Sequence, residues 1–282
     1  MFCKSSSLMY TRLYKGMVLS NPFITSLLIA LAIQAVMFVF AFKFKTDKVT
    51  DLSYGLTFIA IALYWLYNDK WLISRFRLIV SLMVVVWALR LITYLLIRVI
   101  KTGKDSRYDG RRESFRKFAQ FWFLQAIAVW LITLPVVYML TRMRVPKMGT
   151  IPTVGLYIWS IGLIIETIAD KQLFTFRFKK DNKGKWIDEG LWHYSRHPNY
   201  FGEILVWIGV FVFGLSTYTG IGWLVVLSPL TIMGLLMFGS GIPILEKSND
   251  KKWGHDPAYR HYKAMTSILV PLPPKKVQKS AS

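Results

Sequence analysis

Gly190 to Gly209 reads GLWHYSRHPNYFGEILVWIG. Its reading decides the fold, because a polar, aromatic, basic segment runs straight into an apolar helix. His197-Pro198 marks the helix start. Asn199, Glu203 and Trp207 then fall at i, i+4 and i+8 and share one helix face. A carboxylate one turn inside a membrane-length segment is costly unless something binds it. The rest of the chain reads as a scaffold that brings other polar groups to this place.

Working outward, 54% of the 282 residues are hydrophobic and 18% are charged, against about 25% charged in a soluble domain. Several apolar runs exceed roughly 18 residues, the length that spans a bilayer. The pattern predicts an all-α polytopic membrane protein, a single integral membrane domain over 1–282. Seven spans are expected, near 22–42, 52–68, 78–97, 118–140, 152–170, 199–215 and 221–242, forming a seven-transmembrane-helix bundle. Residues 1–21 lack a cleavable signal pattern, so the first apolar run is expected to stay as a span. Asn21-Pro22 supplies that span with an N-cap and a first-turn proline. Pro135 and Pro229 are expected inside spans, as kinks. Trp65, Tyr67, Trp71, Trp122 and Trp192 gather near span ends, as interfacial belts do.

The Lys and Arg residues give the orientation. With seven spans, nine lie on the side of the N-terminus, 26 lie on the other side, and Arg90 lies within a span. Positive charge collects on the cytoplasmic side, so the N-terminus is expected outside and the C-terminus inside. The loop 98–117, the segment 171–198 and the tail 243–282 would then share the cytoplasm. A net charge of +21 suits an anionic partner, although the membrane rule alone also makes such loops basic. No nucleic-acid partner is expected. The one cysteine, Cys3, excludes an internal disulfide framework. His193, His197, His255 and His261 share no metal-ligand spacing, and no metal site is expected. No Gly-rich phosphate loop or strand–turn–helix motif is present, which excludes a soluble nucleotide-binding fold.

Polar groups inside the membrane narrow the function. Glu166 and Asp170 stand at i, i+4 on the fifth span, and Arg177 continues the stripe if that helix extends. Arg90 is the one cation within the third span, with Tyr94 a turn later. Arg90 can pair with Glu166 or Glu203, contact a ligand, or do both. Lys101, Lys104, Arg107, Arg111 and Arg112 follow as a run that reads as a solvated face. Tyr194, Arg196, His197, Asn199, Tyr200 and Glu203 crowd into ten residues. In the tail, Trp253, Tyr259 and Tyr262 fall on an expected short helix beyond Glu246, and ILVPLPP is expected against the bilayer surface.

As a set, Glu166-xxx-Asp170 with Arg177, Gly184-Lys185 before GLWHYSRHPNYFGE, Trp207, and Tyr259-xx-Tyr262-xxx-Thr266-Ser267 ending in PLPP resembles a known group. It is the membrane-embedded superfamily of steroid 5-alpha-reductases and sterol reductases, over roughly residues 85–275. The resemblance is strongest to a bacterial branch of undefined function with a steroid-reductase-like C-terminal half, which implies a bacterial inner membrane. It implies NADPH bound in the cytoplasmic half of the bundle, within the part spanning 98–282, and an apolar lipid substrate on the side of the three N-terminal spans, 1–97. It places Asp170, Arg177, Lys185, Tyr194, Arg196, Asn199, Tyr200 and Glu203 along the cofactor. Glu246 and Tyr262 close it from the tail, and Glu166, His197 and Trp207 complete the set. Glu166 stands where steroid reductases often carry an amide.

The implied chemistry is hydride transfer to the β-carbon of a conjugated double bond, with an acid on the carbonyl. Arg90 and Tyr94 are the catalytic candidates. The second span lacks the glutamate of the steroid enzymes and offers Tyr64 and Tyr67, and Trp87 stands in the place of their tyrosine. A similar RHPxYxG stretch and tail occur in isoprenylcysteine carboxyl methyltransferases, which makes an S-adenosylmethionine-dependent methyltransferase the alternative. Those enzymes carry a paired Glu-Glu where this chain has Glu246-Lys247, and lack the Glu166/Asp170/Arg177 and Gly184-Lys185 set. A non-enzymatic lipid-binding or transport role is the third class, without the matched broken helices of transporters.

Overall fold

The computed structural model describes residues 21–46, 49–68, 74–102, 114–142 and 146–275. Cys3, Trp71, Lys104, Arg107, Arg111 and Arg112 lie outside the described residues. The described chain is helical throughout, its single β-type pairing being an isolated bridge between Ser195 and Ser267.

The first helix, α1 (Pro22–Lys43), starts as its sequence dictates. Asn21 accepts a hydrogen bond from the Phe23 N–H at 3.0 Å and Pro22 occupies the first turn, where a missing N–H costs nothing. α2 (Thr50–Asn68), α3 (Arg75–Thr102), α4 (Phe115–Thr141) and α5 (Thr150–Phe178) follow. Pro135 sits inside α4. A single turn, α6 (Leu191–Tyr194), precedes α7 (Pro198–Phe213). A 3₁₀ segment, Gly220–Val226, leads into α8 (Leu227–Phe238). The tail holds α9 (Ile242–Trp253) and α10 (Pro257–Met265), the latter capped by Asp256, which accepts from the Ala258 N–H at 2.8 Å.

Among the described residues, six stretches are long and apolar enough to cross a membrane: Pro22–Lys43, Arg75–Lys101, Phe115–Thr141, Thr150–Phe178, Pro198–Thr217 and Gly220–Trp253. The chain is that of an integral membrane protein. The expected second span is an apolar helix but a short one, Leu52–Asn68. At the α-helical rise it covers about 25 Å, less than a hydrocarbon core of about 30 Å. The expected fifth span runs two turns beyond 170, so Arg177 does ride the same helix as Asp170. The expected last span is a 3₁₀ stretch joined to α8 and interrupted at Gly239–Gly241. Pro229 therefore lies in the first turn of α8, where it breaks no hydrogen bond.

The antiparallel pair α5–α7 is the most extensive helix packing in the molecule. Glycines two turns apart on each helix make it possible: Gly155 and Gly162 on α5, Gly202 and Gly209 on α7. A Cβ on Gly162 would stand 2.7 Å from the Gly202 carbonyl oxygen and from the Val206 nitrogen, and one on Gly202 would stand 2.6 Å from the Glu166 nitrogen. Small residues let membrane helices approach to backbone contact in this way. Against α7, α2 and α3 contribute an aromatic cluster: Phe58, Trp87 and Trp207 pack with ring centres 5.0–5.2 Å apart. On the far side, Gln34 of α1, Ser53 and Thr57 of α2 and Gln125 of α4 form a buried hydrogen-bonded network, with Gln34 Nε2 donating to Thr57 Oγ1 and Gln125 Nε2 to Gln34 Oε1, each at 2.9 Å.

Candidate functional site

The glycine contact between α5 and α7 puts Glu166 directly against Gly202. One turn along each helix, Asn199 Nδ2 donates to Asp170 Oδ1 at 3.1 Å. Arg90 of α3 completes the junction. Its guanidinium pairs with Glu166 Oε1 and with Asp170 Oδ2, and donates to the Glu166 carbonyl oxygen at 3.0 Å. One cation thus ties α3 to both carboxylates of α5, and an amide ties α5 to α7. Glu166 is 2% exposed and Asp170 4%. Isolated charges at that depth cost several kcal/mol each, so the pairing is what makes the cluster tolerable.

The cluster is incompletely satisfied. Glu166 Oε2 and Asn199 Oδ1 are buried with no hydrogen-bond partner among the described residues. Glu203, half-buried on α7, lies within electrostatic range of Arg90, Asp170 and Glu166. Two partnerless buried acceptors on adjoining helices suit a ligand with N–H donors, such as a primary amide.

Toward the 178 end of α5 the surroundings turn basic. The Arg90 guanidinium lies 5.7 Å from the ring centre of Tyr94. Tyr94 in turn feels Asp170, Arg98 and Arg177. Tyr200 is within range of Arg177. Arg90, Tyr94, Glu166, Asp170, Arg177, Asn199, Tyr200 and Glu203 are therefore brought to one region, as expected. Lys185 is exposed in the turn after α5, tied to the tail through its neighbour Gly184, whose carbonyl oxygen accepts from Trp253 Nε1 at 2.5 Å.

The remaining candidates sit elsewhere. Trp207 is fully buried against Phe58 and Trp87. It shares the Asn199–Glu203 stripe, but two turns in, where the neighbours are aromatic. Arg196 and His197 are engaged with the tail: both bind the Glu246 carboxylate, His197 through Nε2 at 2.9 Å. Lys263 joins them at 3.3 Å. Tyr262 donates to the Trp192 carbonyl oxygen at 2.7 Å. Burial pushes its phenol above the ordinary tyrosine value and pushes the Tyr259 phenol up to about 12. The tail is further stitched on by Arg196 N–H to the Ser267 carbonyl oxygen at 2.8 Å, Ser195 Oγ to the Leu269 carbonyl oxygen at 2.7 Å, and Leu272 N–H to the Tyr194 carbonyl oxygen at 3.1 Å. ILVPLPP, expected against the bilayer surface, is held to the 194–196 segment through its backbone and turns Ile268, Val270 and Leu272 outward. The Tyr194 side chain is itself exposed.

Tyr64 and Tyr67, read as polar candidates on the second span, are 43% and 56% exposed on the outside of α2. Arg90 is also joined by a second buried cation on α3, Arg77, which donates to the Arg142 carbonyl oxygen. Arg98 went unread in the sequence although it lies eight residues after Arg90, on the same face. The Gln34–Ser53–Gln125 network carried no signal beyond amides inside apolar runs. Among the described residues, no group of His, Cys, Asp or Glu is arranged to hold a metal ion.

Comparison with known proteins adds the following. A family model described as a protein of unknown function (DUF1295) matches residues 37–266. A Schizosaccharomyces pombe protein described as uncharacterized is 23% identical over 283 residues, covering 89% of this chain and 80% of its own length. No solved structure matches.

Proposed function

This chain belongs to the DUF1295 family, and from that premise we propose that it is a membrane-embedded NADPH-dependent reductase related to the steroid 5-alpha-reductases and sterol reductases. The reaction proposed is reduction of a conjugated double bond in an apolar, lipid-like substrate. The observation that carries the proposal is the junction of Arg90, Glu166, Asp170 and Asn199, with its two partnerless buried acceptors. Glu166 Oε2 and Asn199 Oδ1 would hold the carboxamide of a nicotinamide ring, which offers two N–H donors. NADPH, when bound, supplies a hydride.

The chain's own residues do the rest. Asp170 and Glu166 fix Arg90, so its guanidinium is held without rotamer search. Tyr94, beside that guanidinium, is the phenol placed to hydrogen-bond a substrate carbonyl and to give up a proton to it. The apolar walls from Phe58, Trp87 and Trp207 exclude water from this end of the site. The three N-terminal helices are proposed as the substrate side, with the substrate entering from the bilayer. The proposed topology has seven crossings, the short α2 included, with the N-terminus outside and the cofactor site facing the cytoplasm.

Thermal unfolding of the detergent-purified protein tests the reading. NADPH at 100 times its dissociation constant should add about 2.7 kcal/mol of stability. NADH and S-adenosylmethionine are run beside it. Stabilisation by S-adenosylmethionine alone would replace the reductase by a methyltransferase, whose RHPxY-type stretch and tail glutamate are also present in Arg196–Tyr200 and Glu246. Asn199→Ala and Glu203→Ala should each abolish the NADPH effect.

A further inference from the structure

We infer that the tail from Thr266 to Lys275 is a membrane-seated loop, whose outward strip of Ile268, Val270 and Leu272 lies in the leaflet bordering the start of α7. The loop is closed at its base, where the Lys275 N–H donates to the Met265 carbonyl oxygen at 3.0 Å. It is thus a compact surface loop whose ends meet. Its inner side is pinned at Ser267, Leu269 and Leu272 to Arg196, Ser195 and Tyr194, and the Leu269 side chain packs against the main core. Exposure alternates along it, as in any extended chain, where successive side chains point to opposite faces. Ile268, Val270 and Leu272 are 42, 44 and 52% exposed, while Ser267, Leu269 and Pro271 are half-buried.

An extended segment facing water alternates apolar inside with polar outside. This one is aliphatic on its outer side, and the pinned backbone keeps the strip turned out instead of letting it fold inward. A contiguous apolar strip of that kind marks a contact surface, and its position says with what. Arg196 stands two residues before Pro198, where a membrane-crossing stretch begins. The loop bonded to it therefore sits at the level where α7 enters the bilayer, and the strip continues the lipid-facing surface of the bundle. Tyr194, 45% exposed, is bonded to the same loop, and tyrosine is a residue of the membrane interface. The seat also reaches the polar junction. Ser195 Oγ donates to the Leu269 carbonyl oxygen and accepts from the His197 N–H at 3.1 Å, two residues ahead of Asn199. The leaflet thereby helps to fix the start of α7, whichever ligand the junction takes.

The test uses the full chain in phosphatidylcholine vesicles, with Cys3→Ser and one introduced cysteine carrying an environment-sensitive fluorophore. Val270→Cys probes the strip, and Lys251→Cys, exposed on α9, is the water-facing control. A nitroxide on the upper acyl chain of the lipid should quench the probe at 270 and spare the probe at 251. Aqueous iodide should do the reverse. Iodide quenching of both probes alike overturns the seat in the leaflet. Shielding of the probe at 270 from nitroxide and iodide together also overturns it, and assigns the strip to a second copy of the chain. Tail proteolysis gives a second measurement. In vesicles the wild-type tail should be cut about tenfold more slowly than that of the triple variant Ile268→Ser, Val270→Ser, Leu272→Ser, because cleavage follows the population of the opened tail. Equal rates in the two proteins overturn the proposal.

Discussion

Arg90 holds two carboxylates with one guanidinium, and removing it leaves Glu166 and Asp170 buried without a countercharge. Breaking a buried pair from one side costs roughly 3–5 kcal/mol. Arg90→Ala should therefore lower the thermal midpoint of the detergent-solubilised protein steeply, whereas Arg90→Lys, which keeps the charge but not the fork, should fall between it and wild type. A midpoint unchanged in Arg90→Ala would mean that the junction contributes nothing to the fold. This residue-scale logic was half legible beforehand. A lone cation in an apolar run must find an anion, and the sequence offered Glu166 or Glu203; Glu166 is one partner, and the second is Asp170 in place of Glu203. The orphaned Oε2 of Glu166 and Oδ1 of Asn199 were not legible, since they depend on rotamers set by three helices at once. Trp207 shows the reverse case. Its i+8 spacing put it on the polar stripe, but a bulky indole two turns into the bundle fills aromatic space instead.

Whole helices meet by a rule of small residues, and it can be tested the same way. Gly162 and Gly202 pack backbone on backbone, with carbonyl and amide atoms at 2.6–2.7 Å from any added Cβ. Gly162→Leu or Gly202→Leu should destabilise by at least the usual 1–3 kcal/mol of overpacking and should abolish NADPH binding by parting Asp170 from Asn199. A Leu at Gly234, where a Cβ meets open space, serves as the tolerated control. The tail helices obey a different constraint. Tyr262 and Tyr259 are raised by burial, so their neutral forms stabilise the docked tail. That stability is fully present below the ordinary tyrosine value of 10.0 and is lost as pH rises through the folded-state values. Limited proteolysis of the tail should accelerate above about pH 10. Tyr262→Phe, which removes a hydrogen bond of about 1 kcal/mol, should dock less tightly at neutral pH and respond less to alkali. Apolar runs announced the long helices because periodicity and length are local properties. The clasp of Ser267, Leu269 and Leu272 on Tyr194–Arg196 was hidden, because backbone pairing between distant segments leaves no mark on composition.

The whole molecule must choose how many times it crosses the bilayer, and two elements decide the answer. α2 is short for a hydrocarbon core, and α8 is a twelve-residue helix that depends on the 3₁₀ segment Gly220–Val226 to reach across. The charge distribution argues that α8 does cross. With seven crossings, 26 of the Lys and Arg residues fall on one side and nine on the other. Dropping α8 would move the tail's eight basic residues to the other face and leave 18 against 17, against the bias that sets orientation. Dropping α2 leaves 26 against nine with the N-terminus on the basic side, so α2 is decided by labelling and not by charge. A thinned bilayer or snorkelling flanks allow a short helix to span at modest cost. The prediction is made with single cysteines in a Cys3→Ser background, in right-side-out and inverted vesicles, labelled by a membrane-impermeant maleimide. Asn68→Cys, at the end of α2, and Lys147→Cys, between α4 and α5, should label from the outside. Lys45→Cys, between α1 and α2, and His255→Cys, between α9 and α10, should label from the inside. Asn68→Cys labelling with Lys45→Cys would show that α2 turns back without crossing. His255→Cys labelling with Lys147→Cys would show the same of α8 and would put the tail, with Glu246 and Tyr262, on the face opposite a cytoplasmic dinucleotide.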